Sequence, residues 1–342
     1  MSTRICPACG RQEISSALTV QEVNDARPLC PSCDRARTAR MGSGRSMPRN
    51  SYHNGREIIT RFIDQDDEDE EARLHLGIEV ETDIMSNSRA GERWSDSPKS
   101  ETLYHKLWKS TWLPIFDPTN DGSLNHGIEF VSQPATIGWW QWMKPMLVEG
   151  AAAIVEAGLR SHNTDTCGLH VHASRSFFAY GPNGDAKSLT NLLILIEQNW
   201  FAMTQIARRG ENRYAKRSLG SSMKSTKDSK FDKSMKETVK EYTYDDIVSV
   251  SDRYRAINYS GENTVEFRFF KGTLNPNTIL ATLQFINNLC HVARIIPTEV
   301  ALEYTVHDII GYRKYPELMN YVAGLELSSN SQAVYETSES SE

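Results

Sequence analysis

The chain has 342 residues, 39% of them apolar and 24% charged, with a formal net charge of −6 at pH 7. That is the composition of a water-soluble globular protein with room for a sizeable core, and the acidic balance excludes a protein that binds nucleic acid over its whole surface. No apolar run reaches the roughly 18–20 residues of a membrane span, and the opening MSTRICPACG lacks the apolar stretch of a signal peptide, so a cytoplasmic location is expected.

The first element is built on cysteines. Cys6-Pro-Ala-Cys9 and Cys30-Pro-Ser-Cys33 are two Cys-x-x-Cys pairs with twenty residues between them. A two-residue spacer lets one tight turn aim two thiolates at one ion, and two such turns complete the tetrahedral set that zinc prefers. Disulfides suit a cytoplasmic chain poorly, and a thioredoxin-like site needs one pair beside a βαβ unit. Residues 1–38 are therefore predicted to form a zinc ribbon with one structural Zn2+ on Cys6, Cys9, Cys30 and Cys33. Residues 39–72 lack sustained periodicity and read as a flexible charged linker. Seven arginines from Arg35 to Arg61 precede the acidic run DQDDEDEE at 64–71. Such blocks are solvated segments or docking elements for a protein or nucleic acid.

From 73 to 327 strand and helix signals alternate without repeats, which predicts one α+β catalytic domain, a mainly antiparallel sheet with packed helices. LHLGIEVET (Leu74–Thr82) reads as a strand, and Gly127–Ser132 as another after the turn Asp121-Gly122-Ser123. A helix is expected from Trp139 to Leu159, with Trp139, Trp140 and Trp142 as packing residues, and a strand over Gly168–Ser174. Leu192, Leu193, Leu195, Ile196, Trp200, Met203 and Ile206 recur at helical spacing, so 187–209 reads as a core helix. Residues 216–241 carry eight lysines and arginines and read as a mobile insertion, or a lid over an anionic acceptor. Arg253–Ser260 and Asn263–Gly272 read as a hairpin around a tight Gly261-Glu262 turn. Helices are expected over 276–295 and within 297–325, with His291 as a core histidine. The polar residues 328–342 read as a disordered tail.

In a strand, residues i and i+2 share a face. Glu79 and Glu81 do so in GIEVE, His170 and His172 in GLHVH, Glu266 and Arg268 in VEFRF, and Arg253 and Arg255 in RYRAI. A face turned to water would mix Lys, Thr and Ser, whereas carboxylates grouped in a partly dry cleft repel one another unless cations are bound. Mostly oxygen ligands suit Mg2+ or Mn2+, and guanidinium groups suit phosphate oxygens. No GxxxxGK[ST] loop occurs, so the pattern points to a nucleotide site of another type.

The ordered motifs GIEVE, DGSL…GIEFVSQP, CGLHVHAS and RYRAIN…NTVEFRFFKGT resemble the amidoligase family, in the superfamily of glutamine synthetase and glutamate–cysteine ligase. The resemblance runs from Leu74 to Ile295. It implies a glutamine-synthetase-like catalytic fold, and a reaction in which ATP phosphorylates a carboxylate and an amine displaces the phosphate to give an amide or isopeptide bond. The implied cofactors are ATP with Mg2+ or Mn2+; the implied partners are a carboxylate and an amine from an amino acid, a peptide or a protein side chain. By motif, Glu79, Glu81 and Glu129 resemble the carboxylates of one metal site, His170 a metal-binding imidazole and Glu266 the carboxylate of a second site. His172 and Ser174 resemble nucleotide contacts. Arg268, with Arg253 or Arg255, resembles the arginines that meet phosphate, and Asp121 an acidic residue that orients or deprotonates the amine. The second acidic residue and the acceptor flaps of glutamine synthetase have no visible counterpart. Competing readings are a cupin-like or hydrolytic metal enzyme without ATP, a zinc-ribbon protein that binds nucleic acid or protein, and a Cys167–His170 nucleophile, although Cys167 also reads as core. Metal analysis of the purified chain should find one tightly held zinc, lost when Cys6 and Cys30 are both changed to Ser; a zinc retained by that variant would place the site elsewhere.

Overall fold

A computed structural model describes residues 2–5, 12–15, 73–84, 102–103, 106–107, 116–119, 121–124, 126–162, 164, 166–212, 215–219, 239–249, 254–325 and 327. The four ribbon cysteines, the linker at 39–72, Arg253, residues 220–238 of the lysine-rich segment and the tail at 328–342 lie outside the described residues. Strands β1 (Ser2–Ile5) and β2 (Gln12–Ser15) pair antiparallel with Ser2 opposite Ser15, and the sequence that joins them contains Cys6 and Cys9.

The chain divides into two compact units. The first comprises Met1–Glu68, His75–Leu169 and Gly272–Pro276; the second comprises Asp69–Leu74, His170–Lys271 and Asn277–Glu342. Both mix strands and helices, so the fold class is α+β as predicted, and the pairings whose register is described are antiparallel.

The first unit is organised by three strands, β3 (Leu76–Ile84), β4 (Phe116–Thr119) and β5 (Ile128–Ser132), in the order β4-β5-β3. Alternation places Ile78, Val80, Phe116, Ile128 and Phe130 on one face, all buried. Helices α1 (Ile137–Trp142) and α2 (Lys144–Glu156) follow. Trp140 meets Phe116 edge-on at 6.1 Å, and its Nε1 donates to the Leu76 carbonyl at 3.0 Å, so the indole is satisfied where it is buried. The single helix expected from Trp139 to Leu159 is thus two. Pro145 has no N–H to donate and sits in the first turn of α2, where that loss costs nothing. The helix stops at Glu156, Gly158 takes a φ of 92°, and Leu159 enters β6 (Leu159–Arg160) opposite Ile84.

Strand β7 (Gly168–Ser174) carries the chain into the second unit, where the strand order is β7-β9-β8, with β8 at Ile257–Asn258 and β9 at Thr264–Lys271. Helix α3 (Ser176–Ala179) leads to α4 (Gly184–Gln198) and α5 (Trp200–Ala207), and α6 is Tyr244–Ser249. Helix α7 (Pro276–Ile295) fills the range read from the sequence; α8 (Thr298–Ala301), α9 (Val306–Tyr312) and α10 (Pro316–Val322) follow it. Ser188–Glu197 of α4 and Thr278–Cys290 of α7 are buried without a break, as expected of helices inside a core. Asn199 divides the helix expected over 187–209. Its Nδ2 donates to the carbonyls of Leu195 (2.9 Å) and Tyr304 (3.0 Å), and its Oδ1 accepts from the Val306 N–H (3.0 Å). A side-chain amide that serves the backbone in this way competes with continued helix. No described helix is long and apolar enough to cross a membrane.

His291 on α7 is the core histidine the sequence suggested, 4.9 Å from the Phe177 ring and 6.0 Å from that of Tyr312. Burial, with Arg313 and Arg294 nearby, depresses its pKa to about 3 from 6.5. Between those values the unfolded chain binds a proton that the folded chain refuses, so this group withdraws stability as pH falls below about 6.5. In urea titrations between pH 7 and 4, His291→Gln should lose stability less steeply than the wild type; parallel losses would contradict the assignment.

Candidate functional site

The polar face of β3 and β5 is the reverse of the apolar one. Glu81 lies directly opposite Glu129, and Glu79 opposite Val131. A face of this kind would ordinarily be wet, yet Glu81 is 4% and Glu129 1% exposed. The close approach that pairs them needs glycine just ahead of β5, because a Cβ on Gly127 would stand 1.7 Å from the Thr82 carbonyl oxygen. Thr82 Oγ1 donates to the Ile128 carbonyl at 2.6 Å, and the Ile78 N–H donates to Ser132 Oγ at 2.8 Å, fixing the same register.

Asp121 joins this pair. One ligand atom from each of Glu81, Asp121 and Glu129 lies within 4.8 Å of the other two. Like charges at 4.8 Å repel by about 3.5 kcal/mol per pair at an effective dielectric near 20. Asp121 is itself held by Ser123, whose N–H and Oγ each donate at 2.8 Å, and Glu81 accepts the Gly168 N–H. Three carboxylates with anchored backbones form a hard-oxygen donor set, which fits Mg2+ or Mn2+ better than zinc. Glu79 is half-buried on the same face of β3.

The second unit holds a group of different character. His170 Nδ1 lies 3.7 Å from Glu266 Oε1, the same oxygen accepts from Arg268 Nη1, and Oε2 accepts from Asn258 Nδ2 at 3.2 Å. His172 Nδ1 sits 3.4 Å from Thr264 Oγ1, and Ser174 is half-buried at the end of β7. The acid here is matched by a guanidinium and an amide, so the group is close to neutral and rich in donors.

Of the residues singled out in the sequence, Glu81, Asp121 and Glu129 come together in the first unit, and His170, Glu266 and Arg268 in the second. Arg255 Nη1 donates to the carbonyls of Arg217 (2.9 Å) and Ser218 (3.5 Å). Cys167 is buried, and desolvation pushes its thiol up to about 12, which removes it as a nucleophile at neutral pH.

Three functional neighbours escaped the sequence reading. Asp83 continues the Glu79, Glu81 alternation and could have been found by it. It is buried, and it accepts from the His126 N–H and from Thr166 Oγ1, both at 3.1 Å, tying the approaches to β5 and β7 onto β3. Asn258 was hidden by the hairpin's register. A two-residue Gly261-Glu262 turn would set Asn258 against Val265, whereas the observed pairs are Asn258 with Glu266 and Ile257 with Phe267. Arg175 explains the extra residue in the loop: its N–H takes the Asn263 carbonyl at 3.0 Å, and its Nη1 takes those of Gly261 (3.1 Å) and Tyr259 (3.4 Å). The strand read over Arg253–Ser260 is correspondingly only Ile257–Asn258. Glu197, the third, is considered below.

Comparison with known proteins gives the family. No curated protein matches the sequence. Among solved structures, the complex of the prokaryotic ubiquitin-like protein Pup with its ligase PafA aligns at a TM-score of 0.35 and 11% identity, over 70% of this chain and 51% of that one. ADP-bound GmaS aligns at 0.39 and 11% (73% and 66% of the two chains), and ligand-free GmaS at 0.37 and 12% (73% and 67%). This chain therefore spans about half the length of the Pup ligase. The family model described as "Putative amidoligase enzyme" matches residues 65–290, which include both groups of candidate site residues, and the chain belongs to that family.

Proposed function

We propose that the chain is an ATP-dependent carboxylate–amine ligase that works through an acyl-phosphate. The observation that carries the reading is the buried cross-strand pair Glu81–Glu129, with Asp121, in a member of an amidoligase family. A free carboxylate is a poor electrophile. One of its oxygens attacks the γ-phosphorus of ATP, the bond to the bridging oxygen breaks and ADP departs. The amine then attacks the acyl carbon, the C–O bond to phosphate breaks, and the ammonium proton is lost to solvent or a nearby base as the amide forms.

Glu81, Glu129 and Asp121 would hold a divalent cation; the family resemblance implies Glu79 as a further ligand there, His170 as a metal-binding imidazole and Glu266 as the carboxylate of a second metal site. When bound, the cation neutralises phosphate charge. Asp121 keeps close company with two other carboxylates, which favours a ligand role over that of amine base. Arg268 is the group set to meet charge on the moving phosphoryl, and its grip on Glu266 holds it in place before substrate arrives. His172 and Ser174 serve as nucleotide contacts, and Arg253 or Arg255 as the second phosphate-facing arginine. Apart from the ligase chemistry, the N-terminal cysteines keep their assignment to one structural zinc.

Thermal unfolding tests the cation site. ATP with Mg2+ or Mn2+ at about 100 times its Kd should add about 2.7 kcal/mol of stability, and excess EDTA should remove that gain. Glu81→Gln should leave the metal-free protein as stable or slightly more so, because one repulsive charge is gone, while abolishing the metal-dependent gain. Stabilisation by metal with no response to ATP would instead favour a metal enzyme of another class.

Turnover tests the chemistry. Pooled carboxylates and amines should include a pair that releases ADP and yields a condensation product one water lighter, detected by mass spectrometry. Arg268→Ala should retain metal binding and lose at least about 100-fold in ADP release, the scale of one preorganised charge-stabilising donor. Undiminished turnover would remove Arg268 from the phosphoryl site.

A further inference from the structure

Glu197 on α4 is a carboxylate, 1% exposed, that the chemistry above does not use. Its surroundings are built for it. Arg217 Nε donates to Oε2 at 2.6 Å and Arg217 Nη2 to the Glu197 carbonyl at 2.7 Å. The N–H groups of Ser218 and Leu219 donate to Oε1 at 2.9 and 3.2 Å. One side chain thus fixes three consecutive residues, 217–219, against the core.

Those residues have a second task. The Lys216 N–H donates to the Tyr254 carbonyl at 2.8 Å, and the Ala256 N–H to the Lys216 carbonyl at 2.7 Å, so the segment runs beside 254–256 as a short parallel ladder. The carbonyls of Arg217 and Ser218 then accept from Arg255 Nη1. The Ala256 carbonyl accepts the Arg268 N–H at 2.8 Å, which links the same ladder to β9. Burying a carboxylate is costly, and burial does push Glu197 toward the neutral form against the pull of Arg217. An apolar pair would hold a simple packing contact at less cost, but it would not aim two carbonyls at a guanidinium.

We propose that Glu197 is a positioning residue for Arg255: by clamping Arg217, Ser218 and Leu219 it presents the two carbonyls that orient the Arg255 guanidinium toward nucleotide phosphate. The role of Arg255 rests on the ligase reading given above.

The test is a double-mutant cycle on Mg2+-ATP affinity, measured by calorimetry on the full chain, with the melting temperature of each ligand-free variant recorded. Arg255→Ala should weaken binding about tenfold or more, the scale of one lost contact to a charged group. Glu197→Gln should weaken it comparably, and the double variant should bind no worse than Arg255→Ala alone. A purely structural Glu197 would lower the melting temperature and weaken binding equally in both backgrounds, and additive losses would overturn the proposal. So would unchanged affinity in Glu197→Gln when Arg255→Ala is impaired. If Arg255→Ala binds normally while the wild type binds Mg2+-ATP, the positioning role falls and the ligase reading stands; if the wild type does not bind at all, both fall. Should Glu197→Gln fail to fold, Glu197→Gln with Arg217→Gln removes both buried charges together, leaves neither unpaired, and carries the same comparison.

Discussion

Two carboxylates directly opposite each other on paired strands, both almost fully removed from water, are the arrangement that sheet energetics most disfavours. Glu81 and Glu129 occupy it because the reverse face leaves no choice. Val80 pairs with Phe130 on that side, Ile78 is buried beside them, and Trp140 seals it against Phe116. A slip of one residue in either strand would turn that strand's apolar set, Ile78 with Val80 or Ile128 with Phe130, out of the core and drive its glutamate in. Apolar burial at roughly 1.5–3 kcal/mol per large side chain outweighs the repulsion on the front, so the register holds with or without a counter-charge. The strain is local, and it is the kind a divalent cation relieves.

How far the sequence announces this depends on which physical rule is in play. Alternation is a local rule, and it located the Glu79–Glu81, His170–His172 and Glu266–Arg268 faces and the two strands that carry the acid pair. Long helices with many apolar residues were equally plain, α7 above all. Long-range polar bonds are not written in any local period. Asn199 breaks a helix because Tyr304 and Val306 lie within reach of it, and Arg175 lengthens the hairpin loop by holding the carbonyls of Tyr259, Gly261 and Asn263. Both effects look like ordinary polar residues until the partners are known.

The second unit shows the same lesson in its core. Helix α7 buries Gln284, Asn287 and Asn288 among its apolar residues. Gln284 accepts the Leu318 N–H at 2.8 Å and donates to Glu317 at 2.8 Å; Asn287 donates to the Tyr315 hydroxyl at 3.0 Å; Asn288 donates to the Arg313 carbonyl at 3.0 Å. Helices α9 and α10 are too short to be stable alone; Gln284 and Asn288 satisfy backbone groups at their ends, and Asn287 holds the Tyr315 side chain between them. Glu197 does for the 217–219 segment what the amides do for these helices, with a charge in place of a dipole. The unit is thus ordered by polar anchors set in buried helices, which leaves the strand faces free to carry reactive groups.

The two carboxylate groups differ in a way that bears on their roles. Around Glu81 stand two further acids, Glu129 and Asp121, whose charges an incoming cation would offset together. Around Glu266 the positions are already taken: Arg268 and His170 crowd Oε1, and Asn258 holds Oε2. On the ligase reading, a cation drawn to Glu266 would compete with Arg268 for its charge, and a guanidinium loosened among low-dielectric walls favours another anion. A phosphate oxygen supplies one. Under the ligase reading, metal entry at Glu266 and phosphate capture by Arg268 would then favour one another. That coupling would make the charged nucleotide–metal complex, rather than free metal, the species this side of the chemistry accepts.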